Sequence, residues 1–319
     1  MRILQKKSLV RVIAMLMSLW IITGCTAGTD KTEPKPEAPA PAPVAAKRVI
    51  KHEAGETEIT GTPKRIVALE FSFVDALATL GVAPVGIADD NDPKLIIKPI
   101  KDRVGQYTSV GSRYQTNLEL ISSIQPDLII ADLSRHKAIY ADLSKIAPTV
   151  VLTSLGANYQ QTLSAFKVIG EAVGKADEAD KILAAHKTKM AELKKAAPGP
   201  DRTVLPAVVN SNGFFGHSSS AYAGSLLEEL GYKDAVQSQE AYPKLTLEQV
   251  VTADPDVLFL MRVGETTVVD EWQKTELWKG ITAVKNGAVY YVDRPTWALF
   301  RGIIAAETIT DEAMTYLKK

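Results

Sequence analysis

The chain is 319 residues long and 46% hydrophobic, with 37 basic side chains set against 37 acidic ones. That is enough apolar material for two sizeable cores. Arg2, Lys6, Lys7 and Arg11 all fall in an acid-free stretch ahead of Cys25, so the rest of the chain holds 33 basic against 37 acidic side chains, a formal charge of −4 that argues against a nucleic-acid partner.

The basic start leads into an apolar run from Leu9 to Ile22 and then Ile22-Thr23-Gly24-Cys25. Residues 1–24 therefore read as a secretory signal, too short to be a comfortable membrane span. Cys25 is the only cysteine, so it has no internal disulfide partner, and it stands where a lipobox places the residue diacylated after signal cleavage. A lipid there would tether the protein to the extracytoplasmic face of a cell membrane. The following segment to residue 46 contains EPKPEAPAPAP and has no apolar period, as expected of an extended, solvated spacer.

Beyond the spacer, alternation over residues 48–58 predicts an edge hairpin. A buried strand follows at 66–69, then a helix at 71–80 stopped by Gly81, and strands at 85–88, 108–111, 128–131 and 148–152. Residues 159–173 and 176–195 have helical spacing; the second stretch, about 30 Å long, has no internal Gly or Pro. A strand at 203–209, a helix at 220–230 ending at Gly231, a short helix at 272–281, a strand at 288–292 and a helix at 305–317 complete the chain.

One unit occurs twice. LELISSIQPDLIIA (118–131) is echoed by LEQVVTADPDVLFL (247–260), so that Glu119 pairs with Glu248, Pro126 with Pro255 and Asp127 with Asp256. In each, Pro ends a helical turn and an apolar run with the character of a doubly buried strand follows. A helix feeding a parallel strand is the unit of an α/β sheet, so two copies imply two similar three-layer α/β lobes. The expected division is a lobe at 47–175, one long bridging helix at 176–197 and a lobe at 198–319, a rigid clamp more than a wide hinge.

No Gly-x-Ser-x-Gly, P-loop or His-Glu-x-x-His occurs, and no nucleophile has an evident base beside it, so no enzymatic activity is expected. The histidines, His52, His136, His186 and His217, are scattered singly, which predicts no metal cluster and no cofactor. His217 stands out because it follows the turn Asn212-Gly213-Phe214-Phe215-Gly216. Arginine is scarce, and Arg113, Arg135, Arg262, Arg294 and Arg301 all lie just beyond a predicted strand or in the loop it leads into. In α/β sheets those ends face the ligand crevice, and Arg suits bidentate recognition of carboxylates, so the pattern predicts an anion-binding cleft walled by Tyr114, Trp297 and Phe300. Whether Glu70, at the end of the first strand, faces that cleft is left open. Glu119 and Glu248 sit in first helical turns, where the helix dipole favours them, but one such carboxylate per lobe also suits matched salt bridges to a two-fold symmetric partner.

Taken together, Pro63-Lys64-Arg65-Ile66-Val67-Ala68-Leu69, Gly81-Val82-Ala83-Pro84-Val85-Gly86, Asn117-Leu118-Glu119, the repeated Leu-Glu units and Ala283-Val284-Lys285-Asn286-Gly287 resemble the substrate-binding lipoproteins of iron-siderophore ABC importers. Asp89-Asp90-Asn91, residues 131–137, Val292-Asp293-Arg294 to Trp297 and Arg301-Gly302 look most like the ferric-citrate binders among them. The resemblance implies a class III periplasmic-binding-protein fold, a monomeric carrier and, as cargo, an iron(III) chelate such as ferric citrate, its outer carboxylates held by Arg113, Arg135, Arg262, Arg294 and Arg301 with His217, and no direct metal ligand. It further implies that Glu119 and Glu248 dock on an ABC permease dimer with its cytoplasmic ATPase. A hydroxamate or catecholate siderophore, haem or cobalamin is the alternative cargo, and a lipid-anchored enzyme acting on a polycarboxylate the alternative class.

Overall fold

The computed structural model describes residues 46–318; the signal, Cys25 and the tether through residue 45 lie outside the described residues. An antiparallel hairpin, β1 (Lys47–His52) and β2 (Gly55–Thr60), comes first. A first sheet follows, built from β3 (Ile66–Ala68), β4 (Gly86–Ile87), β5 (Thr108–Ser109), β6 (Leu128–Asp132) and β7 (Thr149–Leu152), all parallel in the order β5-β4-β3-β6-β7. Its helices are α1 (Phe71–Thr79), α2 (Lys98–Val104), α3 (Leu118–Ile124), α4 (Leu133–His136) and α5 (Tyr140–Ile146). Two longer helices, α6 (Tyr159–Ala172) and α7 (Ala176–Ala196), lead to a second sheet. This holds β8 (Thr203–Asn210), β9 (Gly213–Gly216), β10 (Lys233–Asp234), β11 (Lys244–Leu245), β12 (Val257–Arg262) and β13 (Val289–Tyr291), with β12 parallel to both β8 and β13 and the β9 hairpin on the far edge. Its helices are α8 (Tyr222–Glu229), α9 (Leu247–Ala253), α10 (Val268–Trp272), α11 (Glu276–Lys279), α12 (Thr282–Lys285) and α13 (Ile303–Leu317). Residues 272–281, expected as one helix, are broken because the Thr275 hydroxyl accepts from Trp278 N and starts α11 afresh. Among the described residues no helix is long and apolar enough to cross a membrane.

The strands are buried on both faces, as their unbroken apolar runs require. In β3, Ile66 and Ala68 enter the core formed with α1 and α6, whereas Val67, with Leu69 just beyond the strand, enters the core against α3 and α5. In β12, Val257, Phe259 and Met261 face α8 and α13, and Leu258 and Leu260 face α9 and Trp278. Each sheet is thus the middle of three layers.

The repeated unit has a physical role in both copies. Asn117 and Thr246 cap α3 and α9 with their side-chain oxygens, and Gln125 (φ 52°) and Asp254 (φ 39°) end those helices in the left-handed region. Asp127 then accepts from Lys64 N (2.7 Å) and Arg65 N (2.8 Å), immediately before β3, and Asp256 accepts from Thr203 N (2.8 Å), the first residue of β8. The Pro-Asp pair therefore starts one strand and pins the start of its parallel neighbour.

Three helices tie the sheets together. Helix α7 packs Ala179 into the first-lobe core and Met190 into the second; α6 does the same with Phe166 and Ile169 at one end and Tyr159 at the other. Helix α13 begins in the first core with Ile303 to Ala305 and continues in the second with Ala306, Ile309 and Ala313. The expected long bridge is α7, braced on both sides. Asp75, buried in α1, caps α13 across the junction, accepting from Ile304 N (3.1 Å) and Ala305 N (2.9 Å). Gly302 is required there, because a Cβ would lie 2.3 Å from the Asp75 carboxyl.

Burial pushes the Asp75 carboxyl up to about 6 against those backbone donors. A folded-state value above the ordinary 3.8 contributes stability that is present below about pH 4 and lost as pH rises through about 6. Asp75→Asn should remove this step, worth about 3 kcal/mol, from urea-unfolding midpoints measured between pH 4 and 7.

Candidate ligand-binding site

The carboxyl ends of the first sheet converge on one buried carboxylate. Glu70 lies two residues beyond β3, at the N-cap of α1, and is 0% exposed. Arg135 on α4 brings Nη1 within 2.5 Å of Glu70 Oε1; Arg301, in the segment entering α13, places Nη2 3.1 Å from Oε2; Arg113, beyond β5, places Nη1 3.5 Å from Oε2. All three guanidinium groups are buried, at 3–5% side-chain exposure. Ser154, beyond β7, shares Arg301 Nη2 (2.8 Å) and meets Ser72 (2.6 Å).

Each arginine is also oriented by something other than Glu70. Arg113 makes a forked pair with Asp90 (Nη2 to Oδ2, 2.6 Å), donates its backbone N–H to the same carboxylate (2.9 Å) and lies 4.6 Å over the Phe71 ring. Arg135 stacks 4.6 Å over the ring of Tyr114, which is itself 68% exposed, and donates to its hydroxyl (3.2 Å). Arg301 Nη1 donates to Ala298 O (2.6 Å). Asp132, at the end of β6, caps α4 and accepts from Ser154 N (2.8 Å) and Leu155 N (3.0 Å). After these contacts, Arg135 Nε and Arg301 Nε remain buried without a hydrogen-bond acceptor, while Arg113 Nη1 and Arg135 Nη1 have the Glu70 carboxylate as ion-pair partner.

The electrostatics follow from crowding. Burial pushes the Glu70 carboxyl up against the pull of Arg301, Arg113 and Arg135. Burial opposes the charge on Arg113, but the Asp90 hydrogen bond and the Glu70 carboxylate outweigh it and raise the arginine overall. Arg294, half-buried beyond β13, is pulled down by burial and by Arg113, which places a second-lobe cation in the field of a first-lobe one.

Of the sequence-predicted residues, Arg113, Arg135 and Arg301 meet on Glu70, with Tyr114 beside them and Arg294 within their field. His217, 4% exposed, lies edge-on to Tyr242 with ring centroids 4.8 Å apart, and burial together with Arg301 and Arg294 pushes it down to about 3. It is neutral at physiological pH and adds no charge to the expected cation set. Trp297 is not a cleft wall: a π turn over Pro295–Leu299 directs it inward, where it is 0% exposed, packs on Phe259 and donates Nε1 to Glu312 (2.7 Å). Phe300 is likewise core, stacked on Phe71 at 4.8 Å. Arg262 ends β12 but is spent within its own lobe, forked on Asp270 at 2.7 Å, which accounts for its raised value and keeps it out of the cluster. Glu119 and Glu248 are exposed, on α3 and α9, and among the described residues neither forms an ion pair. Sequence reasoning passed over Asp90, Ser154 and Tyr242 as site residues; only the Asp89-Asp90-Asn91 run beyond a strand signalled any of them. No group of His, Cys, Asp and Glu able to hold a metal ion is found among the described residues.

A model of the periplasmic binding protein family matches residues 66–296. The Fe(3+)-citrate-binding protein YfmC of Bacillus subtilis is 43% identical over 98% of this chain and 98% of its own length. The Fe(3+) dicitrate-binding periplasmic protein FecB of Escherichia coli is 38% identical over 83% of this chain and 88% of its own. Among solved structures, Staphylococcus aureus SirA complexed with staphyloferrin B superposes with a TM-score of 0.75 at 30% identity, covering 85% of this chain and 98% of that one. The chain belongs to the periplasmic binding protein family, in the company of iron-chelate-binding proteins of ABC importers.

Arg135→Ala removes a buried cation and its unspent Nε donor, so calorimetric affinity for a ferric polycarboxylate should fall about 10- to 100-fold. Arg262→Ala should change it by less than about threefold, since that guanidinium is already satisfied.

Proposed function

We propose that this protein is a lipid-anchored extracytoplasmic receptor that holds an anionic ferric chelate, ferric citrate above others, at the junction of its two lobes and delivers it to an ABC permease. One observation carries the reading: three buried guanidinium groups from three different segments converge at one point, and Arg135 and Arg301 each keep a buried Nε donor unspent. A buried donor without an acceptor costs about 1–3 kcal/mol, so the arrangement is stabilised by a ligand that brings carboxylate oxygens. The names of YfmC and FecB point to the same chemistry.

The mechanism needs no bond made or broken. Iron enters already chelated; Arg113, Arg135 and Arg301 take outer carboxylates of the chelate, with Arg294 adding charge and Tyr114 apolar surface. His217, being neutral, offers a hydrogen bond in place of a cation. Cys25 fixes the receptor to the membrane, and Glu119 and Glu248, one on the equivalent helix of each lobe, meet basic residues of the permease dimer. With cargo bound, α6, α7 and α13 limit closure to a small motion.

The deciding experiment is isothermal titration of the mature protein with ferric citrate, a neutral ferric hydroxamate and a ferric catecholate, with citrate mass balance checked afterwards. Saturable binding of ferric citrate with citrate recovered intact is the expected result. Binding of another chelate alone would replace the cargo, and loss of citrate would replace the carrier with an enzyme. Separately, Glu119→Ala with Glu248→Ala should abolish iron uptake by cells while leaving the titration unchanged; lost binding would remove the docking role.

A further inference from the structure

Of the acids in the cluster, Asp90 receives the Arg113 backbone N–H, and Asp132 caps α4 and holds Ser154 N and Leu155 N. Glu70 caps no helix, and its partners are side chains. Facing it are Arg113 from beyond β5, Arg135 from α4, Arg301 from the segment entering α13, Asp132 from the end of β6 and the Ser154 hydroxyl from beyond β7. Burial pushes its carboxyl up against the pull of Arg301, Arg113 and Arg135, and Asp132 adds to the push. The groups that favour its ionised form are thus the same arginines that an incoming anion would engage. The two serines accommodate either state. Ser154 Oγ accepts from Arg301 Nη2 (2.8 Å) and lies 2.6 Å from Ser72 Oγ and 3.4 Å from Glu70 Oε2. A hydroxyl has one proton to donate and two lone pairs. With Glu70 ionised, Ser154 donates to Oε2 and accepts from Ser72; with Glu70 protonated, the carboxyl O–H donates to Ser154, which turns its own proton to Ser72. Ser154 is fully hydrogen-bonded in both.

We propose that Glu70 is a proton-binding site linked to cargo: as ligand carboxylates engage Arg113, Arg135 and Arg301, Glu70 takes a proton from solvent, so that the receptor binds the anion and a proton together. The inference rests on the proposed ferric-chelate function. A ligand carboxylate brings negative charge to the arginines that surround Glu70, and carboxylates sharing one set of cations ionise less readily than one alone. The effect is reciprocal: the factor by which the anion strengthens proton binding is the factor by which the proton strengthens anion binding. Cargo therefore raises the Glu70 value above that of the ligand-free receptor. The added affinity is complete below the ligand-free value and is lost as pH rises through the loaded one. Neighbouring groups do not supply the same linkage. Burial, with Arg301 and Arg294, holds His217 down to about 3, and burial holds His136 down to about 4, so both are neutral at higher pH. Burial pushes Asp90 up, but its hydrogen bonds from Arg113 outweigh this and keep it ionised.

The test counts protons. Ferric citrate is titrated calorimetrically into the mature wild type and into Glu70→Gln, in buffers of different ionisation enthalpy from about pH 5 to 8. Protons exchanged by the chelate itself, or by Asp75, are common to both proteins and cancel in the difference. Wild type should take up more protons per cargo than the variant, by up to about one, and its affinity should fall about tenfold more than the variant's across the window. Equal proton counts with parallel pH profiles would overturn the inference and leave Glu70 as a brace for the arginines. If Glu70→Gln does not fold, difference infrared spectroscopy decides, on wild type with its glutamate carboxyls carbon-13 labelled. Cargo should bring up the carbonyl band of a protonated glutamate; absence of that band overturns the inference. Failure of wild type to bind ferric citrate at all would instead remove the function on which the inference rests.

Discussion

A buried carboxyl group is costly unless charge surrounds it, and Glu70, with three arginines about it, is such a group. Its carboxylate occupies the point where β3 gives way to α1, and three arginines from separate segments reach it. Because each arginine is also fixed elsewhere, by Asp90, Tyr114 or a carbonyl, their directions are set before any ligand arrives. Preorganised donors lose little entropy on binding, so the arrangement is suited to a small, strongly hydrated anion. The parallel sheet supplies the convergence, since Glu70, Asp90, Arg113, Asp132 and Ser154 all follow carboxyl ends of its strands.

Much of this was legible in the sequence. The duplicated unit reads through to structure almost position for position, with caps, left-handed helix ends and strand-pinning aspartates in register, because those features depend on local backbone chemistry. That Arg113, Arg135 and Arg301 come together was legible for another reason: arginine is rare here, and these three follow strands whose ends converge. What was not legible depends on side-chain direction. Trp297 and Phe300 lie within a few residues of site arginines, yet a π turn sends one into the second core and stacking on Phe71 places the other in the first. Arg262 looked like its neighbours until Asp270, eight residues on, proved to be within reach. The neutrality of His217 comes from burial beside cations, which no local pattern announces.

The junction is more strongly built than a single linking helix suggests. Helices α6, α7 and α13 each have residues in both cores, and Asp75 stitches α1 to the start of α13. Tyr159, His186, Glu307 and Lys189 form a polar chain over the same three helices, from the Tyr159 hydroxyl to His186 (2.6 Å), on to Glu307 (3.3 Å) and across to Lys189 (2.8 Å). Interlocked helices of this sort resist bending and shear together.

The ownership of residues 299–305 has a consequence for how such proteins diversify. Leu299, Phe300, Ile303, Ile304 and Ala305 follow the second sheet in the chain but fill the first core, and Arg301 among them completes the first-lobe charge cluster. The lobes repeat one another in pattern, yet neither is a self-contained module. Shuffling whole lobes between relatives would separate Phe71 from Phe300 and Glu70 from Arg301 in one cut. New cargo preferences in this architecture are therefore expected to arise by point substitution around the cluster rather than by recombination of halves.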